Sequence, residues 1–309
     1  MKPDDSSLQA FELAAVERQA HQLLSKASAW GRFPTPVEDI LGAARLRVAP
    51  KGMFDAAAFA AFVMKKTAEA ARTLKSALSK VLGLYDANEH TIHIDESVGA
   101  AKQTFLKLHE TGHHELPTHR KIFRLFQDCE QTLAPAIADQ FEREANNFAR
   151  YALFQGSAYK EMAADMPMGV KTPITLSKKF GASVYAAARE FARTNHRACV
   201  VYVLEPIQLV PGAPAYADVR RIEASESFAQ QFGVPSATRI DVFHALGDLL
   251  PIGRKMTRPT QLVYSDRNGN RHECVGEAFD TTHNVLLLIY PTRALNPSIL
   301  VLPANLQPV

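Results

Sequence analysis

The ten residues KLHETGHHEL, at positions 107–116, contain three histidines and two glutamates in a chain that is 47% hydrophobic. An α-helix advances about 100° per residue, so His109 and His113 lie on one face, one turn apart. Their imidazoles can therefore reach the same ion, whereas His114 lies about 140° from His109 around the helix. This spacing is the HExxH pattern of zinc hydrolases, in which Glu110 takes a proton from water.

The pattern lies where a helix is expected. The helix should run from about Gly99 to Leu116 and end there, because Pro117 pushes the residue before it out of the helical region. Gly112 inside it costs up to about 1 kcal/mol relative to alanine. We therefore expect a structural reason for this glycine, such as a close approach of the backbone around the ion.

A catalytic zinc ion takes three protein ligands and leaves its fourth position to water. A second helix, expected from near Pro135 to about Phe154, lies downstream of the first. The acidic candidates for the third ligand are Glu130, Asp139, Glu142 and Glu144.

Glu142 is favoured among these candidates. Asn146 lies four residues further on the same helical face, where its amide oxygen could accept the free ring N–H of a ligating histidine. Glu144 lies about 200° around the helix from Glu142, so both cannot face the ion.

Together the two segments resemble the ImmA/IrrE family of zinc metallopeptidases, whose pattern is HExxH followed by E-x-x-A-N-x-F-A on the next helix. The matching stretches are HETGHH at 109–114 and EREANNFARYAL at 142–153, and the resemblance covers roughly residues 10 to 160. It implies Zn²⁺ as cofactor, with His109, His113 and Glu142 as ligands and Glu110 as catalytic base. It also implies a mostly helical, zincin-like domain with a small β-sheet.

The resemblance further implies a biological role. Members of the family are typically intracellular and cleave a helix-turn-helix transcriptional repressor, which turns on stress-response or mobile-element genes. We therefore expect a protein substrate of that kind. One departure from the family's pattern is its usual Leu-Leu-Met-Pro ending, which is Ala-Leu-Phe-Gln at 152–155 in this chain.

Upstream of the HExxH pattern, Thr35, Pro36 and Glu38 predict a capping box that opens a short helix. A strand at about 46–49 and a long amphipathic helix at 55–80 should follow.

The stretch GLYDANEHTIHID at 83–95 predicts a hairpin that turns at Asp86-Ala87-Asn88. Ile92 and Ile94 alternate with polar residues, as in a strand with one buried face. A substrate could add as an extended strand along the 91–95 arm, and His93 or Tyr151 could contact the substrate or its oxyanion.

Downstream, residues 171–196 predict a helix-turn-helix-like segment with its turn at Gly181 and Ser183 capping the second helix. That helix opens at Val184 with residues poor in the Arg, Asn and Gln side chains that read base edges, so a packing role is favoured over DNA contact. From Cys199 onward, short β-like runs predominate.

We therefore divide the α+β chain into a peptidase domain at 1–170, the helix-turn-helix-like segment at 171–196, and a smaller α+β domain at 197–309. The last should contain a hairpin that turns at Asn268-Gly269. By analogy alone, this smaller domain resembles sensor domains.

The charge of the chain argues against electrostatic binding of nucleic acid as its main activity, because 35 basic and 32 acidic residues leave a net charge of only +3. No signal-peptide core and no run of about 18 apolar residues is present, so we expect neither export nor membrane insertion. Cys129, Cys199 and Cys274 are too widely spaced for a disulfide framework. A cytoplasmic location is therefore expected.

Two alternatives to a peptidase remain at this stage. The chain could be a non-catalytic regulator that binds a repressor or DNA through residues 171–196. It could instead be a ligand or redox sensor, in which His272, Cys274 and His283 cluster around a second metal ion.

Overall fold

A computed structural model describes residues 6–50, 83–86, 90–94, 97–119 and 135–293. The predicted helix at 55–80 and the ligand candidate Glu130 lie outside these residues. Within them, helices combine with a small and a larger β-sheet, so the predicted α+β class is confirmed. None of the helices in the described part of the chain is long and apolar enough to cross a bilayer.

The chain forms two compact units. One comprises Met1–Met162 with Thr175–Ser183, and the other comprises Ala163–Ile174 with Val184–Val309. The three-part division at residues 170 and 196 stays a prediction.

The first unit is built mainly from helices, with a short sheet. Its described helices are α1 (Ala10–Lys26), α2 (Val37–Ala44), α3 (Ala100–Glu115) and α4 (Pro135–Leu153). Its strands are β1 (Arg47–Val48), β2 (Gly83–Asp86) and β3 (Thr91–Ile94). Helix α4 packs against both α1 and α3. The two helices expected to hold the metal ligands are therefore confirmed and lie side by side.

The small sheet has the order β1-β3-β2, with β3 antiparallel to β2 and parallel to β1. The two strands of the predicted hairpin pair as expected, and Ile92 and Ile94 are buried, whereas Ala87 and Asn88 of the predicted turn lie outside the described residues. The expectation that a substrate strand adds along this arm is wrong for the residues of β3 that are already paired with neighbouring strands. Strand β2 covers one edge of β3 throughout, and β1 covers the other edge as far as Ile92, so those backbone groups are already hydrogen-bonded.

The predicted capping box at the start of α2 is also wrong. Pro36 is the N-cap residue and makes no side-chain hydrogen bond to the helix. The hydroxyl of Thr35 instead donates to the Leu153 carbonyl at 2.7 Å. Because the last carbonyls of a helix have no partner within it, this contact satisfies the end of α4.

Gln155 joins the end of α4 to the loop that precedes α2. This side chain is 1% exposed, donates to the Arg32 carbonyl at 2.7 Å and accepts from the Gly31 amide at 2.8 Å. The residue that departs from the family's usual Leu-Leu-Met-Pro ending thus has a structural role in this chain.

The remaining elements begin with short helices and continue into a large sheet. The helices are α5 (Ala158–Ala164), α6 (Lys171–Phe180), α7 (Val184–Thr194) and α8 (Glu226–Phe232). The strands are β4 (Val200–Leu204), β5 (Tyr216–Ala224), β6 (Arg239–Asp241), β7 (Thr260–Ser265), β8 (Arg271–Asp280) and β9 (Val285–Pro291).

The larger sheet is antiparallel, with the order β6-β5-β4-β9-β8-β7. The predicted turn at Asn268-Gly269 lies in the loop that joins β7 to β8, where the Gly269 amide donates to the Asp266 carbonyl at 3.0 Å and Gly269 has a positive φ of +82°. All five residues of β4 are buried, as expected for a central strand.

Helix α7 packs on β4 and β5, and residues 187–192 within it are all buried. Glu223 on β5 binds two arginines of α7. Its Oε1 accepts from Arg189 Nη2 at 2.8 Å and from Arg193 Nη2 at 3.0 Å. Burial raises the pKa of Glu223, but the two arginines outweigh burial and the net pKa lies below its usual value. The carboxylate therefore joins α7 to β5 as an ion.

We predict that Glu223→Gln destabilises the protein by about 2 kcal/mol at pH 7, because it removes the charge that the buried Arg189 and the partly buried Arg193 face. A lowered folded-state pKa gives stability that is present above the unfolded pKa of about 4.3 and is lost as the pH falls below it. Thermal unfolding of both proteins at several pH values should show the difference shrinking toward acid pH. Glu273→Gln, at an exposed position of β8, is the matched control, and an equal effect of both changes would contradict the argument.

Candidate metal centre

Three side chains from α3 and α4 meet in one place. His109 and His113 are buried on α3, and their Nε2 atoms are 3.2 Å apart. The carboxylate of Glu142 on α4 lies 3.4 Å from His109 Nε2 and 3.5 Å from His113 Nε2. One ligand atom from each of the three residues falls within 4.8 Å of the other two, so the group could hold a metal ion. In the described part of the chain, it is the only such group of three or more.

The orientation of both imidazoles fits a metal ligand set. Asn146 Oδ1 lies 3.1 Å from His109 Nδ1, and the Nδ1 atoms of His113 and His119 are 3.0 Å apart. Each ligand histidine therefore uses Nδ1 for a protein contact and directs Nε2 at Glu142. Two imidazole nitrogens and one carboxylate oxygen are a donor set that zinc takes in hydrolases.

The pKa values describe how the three groups share charge. Burial lowers the pKa of His109, but Glu142 more than reverses this and raises it to about 9. Burial also lowers the pKa of His113, here to about 4, despite Glu142. For Glu142, burial raises the pKa, but the two histidines together hold it well below its usual range. Glu142 is thus the charged partner of the two imidazoles, and a metal ion would bind both histidines only in their deprotonated form.

Glu110 directly follows His109 in the same buried turn of α3 and is 8% exposed. It is not a member of the ligand group, in keeping with the role of a base rather than a ligand. The other acidic candidates on α4, Asp139 and Glu144, are also outside that group.

The structure does not bring Tyr151 to these residues. Tyr151 lies nine residues after Glu142, about 180° around α4 and about 14 Å along it. Its hydroxyl lies over Gly156, and burial together with Glu17 raises the pKa of the phenol. A contact of Tyr151 with the oxyanion stays a prediction. His93 is half-buried on the strand face opposite Ile92, and its role stays a prediction.

His119 and Glu144 form a pair at this site that the sequence did not predict. His119 follows Pro117 and so lies beyond the HExxH helix, yet it is completely buried and its Nε2 lies 2.8 Å from Glu144 Oε2. Burial raises the pKa of Glu144, but His119 outweighs burial and the net pKa is lowered. No local pattern signals this pair, because the contact depends on how residues 116–119 turn back against α4.

Gly112 is explained by the packing of α3 against α4 and not by a close approach of the backbone to a metal ion. A Cβ at this position would lie 3.1 Å from Phe148 Cβ and 3.3 Å from Ala145 Cα on α4. The missing side chain thus lets α4 approach α3 one turn after Glu142, and the same approach sets the distance between Glu142 and the two histidines.

We predict that Gly112→Ala destabilises the protein by about 1 kcal/mol, because overpacking outweighs the gain in helix propensity. The change should also lower zinc affinity about tenfold, since α4 and Glu142 move away from the histidines. Chemical denaturation and zinc competition with a chelator measure the two effects.

Gly42→Ala is the matched control, because this helical glycine has nothing within 4 Å of an added Cβ. It should gain up to about 1 kcal/mol and keep its zinc affinity. Equal behaviour of the two alanine variants would show that the close approach at Gly112 is unnecessary.

The alternative metal cluster in the larger sheet is wrong. Cys274 is completely buried in the core, and burial raises its pKa to about 11. His272 Nε2 lies 3.0 Å from Asp266 Oδ2 instead of facing the thiol. Among the described residues, no group of possible metal ligands includes His272, Cys274 or His283.

The chain was compared with protein families, solved structures and curated proteins. Residues 56–191 match the family model Peptidase_M78, described as the IrrE N-terminal-like domain, which confirms the resemblance seen in the sequence. Among solved structures, a "Mycobacterium tuberculosis transcriptional regulator" matches with a TM-score of 0.49 and 10% identity, over 89% of this chain and 74% of that chain. No curated protein matches this chain.

Proposed function

We propose, from the premise that residues 56–191 belong to the IrrE N-terminal-like peptidase family, that this chain is a zinc-dependent endopeptidase. The observation that carries the proposal is the convergence of His109, His113 and Glu142 beside the buried Glu110. The family supports the reaction class, and the donor set supports the choice of metal.

In the proposed reaction, His109, His113 and Glu142 hold the zinc ion. The ion supplies a Lewis acid that polarises a peptide carbonyl and makes water acidic enough to lose a proton near neutral pH. Glu110 is the general base that takes this proton from the attacking water. Asn146 accepts the Nδ1–H of His109 and so keeps that ring turned toward Glu142.

The substrate in this proposal is a helix-turn-helix transcriptional repressor, cleaved in the cytoplasm to turn on stress-response or mobile-element genes. This part rests on the resemblance of the HExxH and ExxAN motifs. Among the described strands, β2 pairs only with β3, so its outer edge is the place where an extended substrate segment could add.

The structure does not favour DNA binding through residues 171–196 as an alternative activity. A recognition helix presents an exposed face to the major groove, whereas residues 187–192 of α7 are buried. Arg189, the basic side chain in that stretch, is hydrogen-bonded to Glu223. A packing role for α7 agrees with both observations.

We predict that Glu110→Gln abolishes cleavage while zinc remains bound, because the amide cannot accept a proton and the ligand group is intact. Co-expression with a helix-turn-helix repressor, followed by mass spectrometry of the repressor, measures cleavage. Metal analysis of the purified variant measures zinc.

Glu161→Gln, at an exposed position of α5, is the matched control and should cleave as the unchanged protein does. Undiminished cleavage by the Glu110 variant would contradict the mechanism. Stoichiometric capture of an intact repressor by the unchanged protein would instead favour the non-catalytic regulator.

A further inference from the structure

We propose that His119 and Glu144 are positioning residues that fix the tautomer and the orientation of His113, so that its Nε2 is presented for metal binding. The inference rests on the proposed function only in taking the group at His109, His113 and Glu142 to be a zinc site. It concerns two residues that are not metal ligands: His119 follows the HExxH motif, and Glu144 occupies a position that the ExxAN motif leaves unspecified.

The argument begins at the carboxylate. Ionised Glu144 can only accept hydrogen bonds, so its contact of 2.8 Å with His119 requires a proton on His119 Nε2. In the tautomer of His119 that carries its single ring proton on Nε2, Nδ1 has no proton and is an acceptor. His113 Nδ1, 3.0 Å away, must therefore be the donor. The lone pair of His113 is left on Nε2, the atom that faces Glu142.

Further contacts limit the orientation of the His119 and Glu144 side chains. His119 is completely buried and stacks on Phe141 of α4, with 3.9 Å between the ring centroids and 23° between the planes. Glu144 Oε1 accepts a further hydrogen bond from Gln140 Nε2 at 3.0 Å. The same amide nitrogen donates to Glu12 Oε1 of α1 at 3.1 Å. A continuous series of contacts thus runs from α1 through α4 to His113.

The two ligand histidines are supported differently. His109 donates to the neutral amide of Asn146, whereas His113 donates to an imidazole that is itself held by a carboxylate. Partners of this kind orient a ligating histidine and raise its basicity, and their loss typically costs about 10- to 100-fold in metal affinity. Glu142, Glu144 and Asn146 lie on the same helix, so α4 supplies a ligand and part of the support for both histidines.

Two substitutions at His119 separate positioning from packing. His119→Phe keeps a ring that can stack on Phe141 but removes the acceptor, so zinc affinity should fall about 10- to 100-fold. His119→Asn places an amide oxygen near the position of Nδ1 and should restore most of that loss. Zinc competition with a chromogenic chelator on the full chain measures affinity, and the absorption spectrum of the cobalt-substituted protein reports the ligand geometry.

Glu144→Gln provides an independent measurement if either His119 variant does not fold, because this side chain is 12% exposed and the change preserves its size. It should lower zinc affinity several-fold, since the charge that selects the His119 tautomer is lost. Unchanged zinc affinity in this variant would overturn the inference.

The remaining outcomes distinguish this inference from the proposed function. If the unchanged protein binds zinc and the Asn variant binds it no better than the Phe variant, the positioning role is wrong and the zinc peptidase stands. If the Phe variant alone loses affinity but the Glu110→Gln variant still cleaves, the positioning role stands and the proposed mechanism is wrong. An unchanged protein that does not bind zinc at all would overturn both.

Discussion

The close contact between α3 and α4 at Gly112 is the constraint on which the candidate site depends. The two histidines come from α3 and the carboxylate comes from α4, so their separation is set by how near the helices lie. Phe148 and Ala145 occupy the space where a side chain at residue 112 would be. Helix propensity alone disfavours this glycine, and the packing of two helices explains why it is tolerated.

That contact also buries several ionisable groups, which is unfavourable unless each has a partner. In His109 and His113 both ring nitrogens have a partner. One nitrogen of each ring faces Glu142, and the other contacts a supporting side chain, Asn146 or His119. Because each partner limits the orientation of the next, the imidazoles have little freedom to turn. A site arranged in this way before binding loses less entropy when an ion is bound.

Local patterns predicted most of the described fold. Helical periodicity and Pro117 located α3, alternation of Ile92 and Ile94 located β3, and the Asn268-Gly269 pair located the hairpin between β7 and β8. These features depend on residues close together in the chain. The errors concern contacts between residues far apart in the chain. The hydroxyl of Thr35, for example, donates to the carbonyl of Leu153, more than a hundred residues away, and does not cap the helix that follows it.

The amino-acid sequence by itself determined the part of the site that follows from helical geometry. His109 and His113 share a face because they are four residues apart, and the same spacing relates Glu142 to Asn146. Only the tertiary structure decided what lies around them. It placed His119 and Glu144 behind His113, turned Tyr151 away, and assigned Gly112 to the contact with α4. These contacts join distant segments, and their geometry depends on how whole helices pack rather than on the spacing of residues within one.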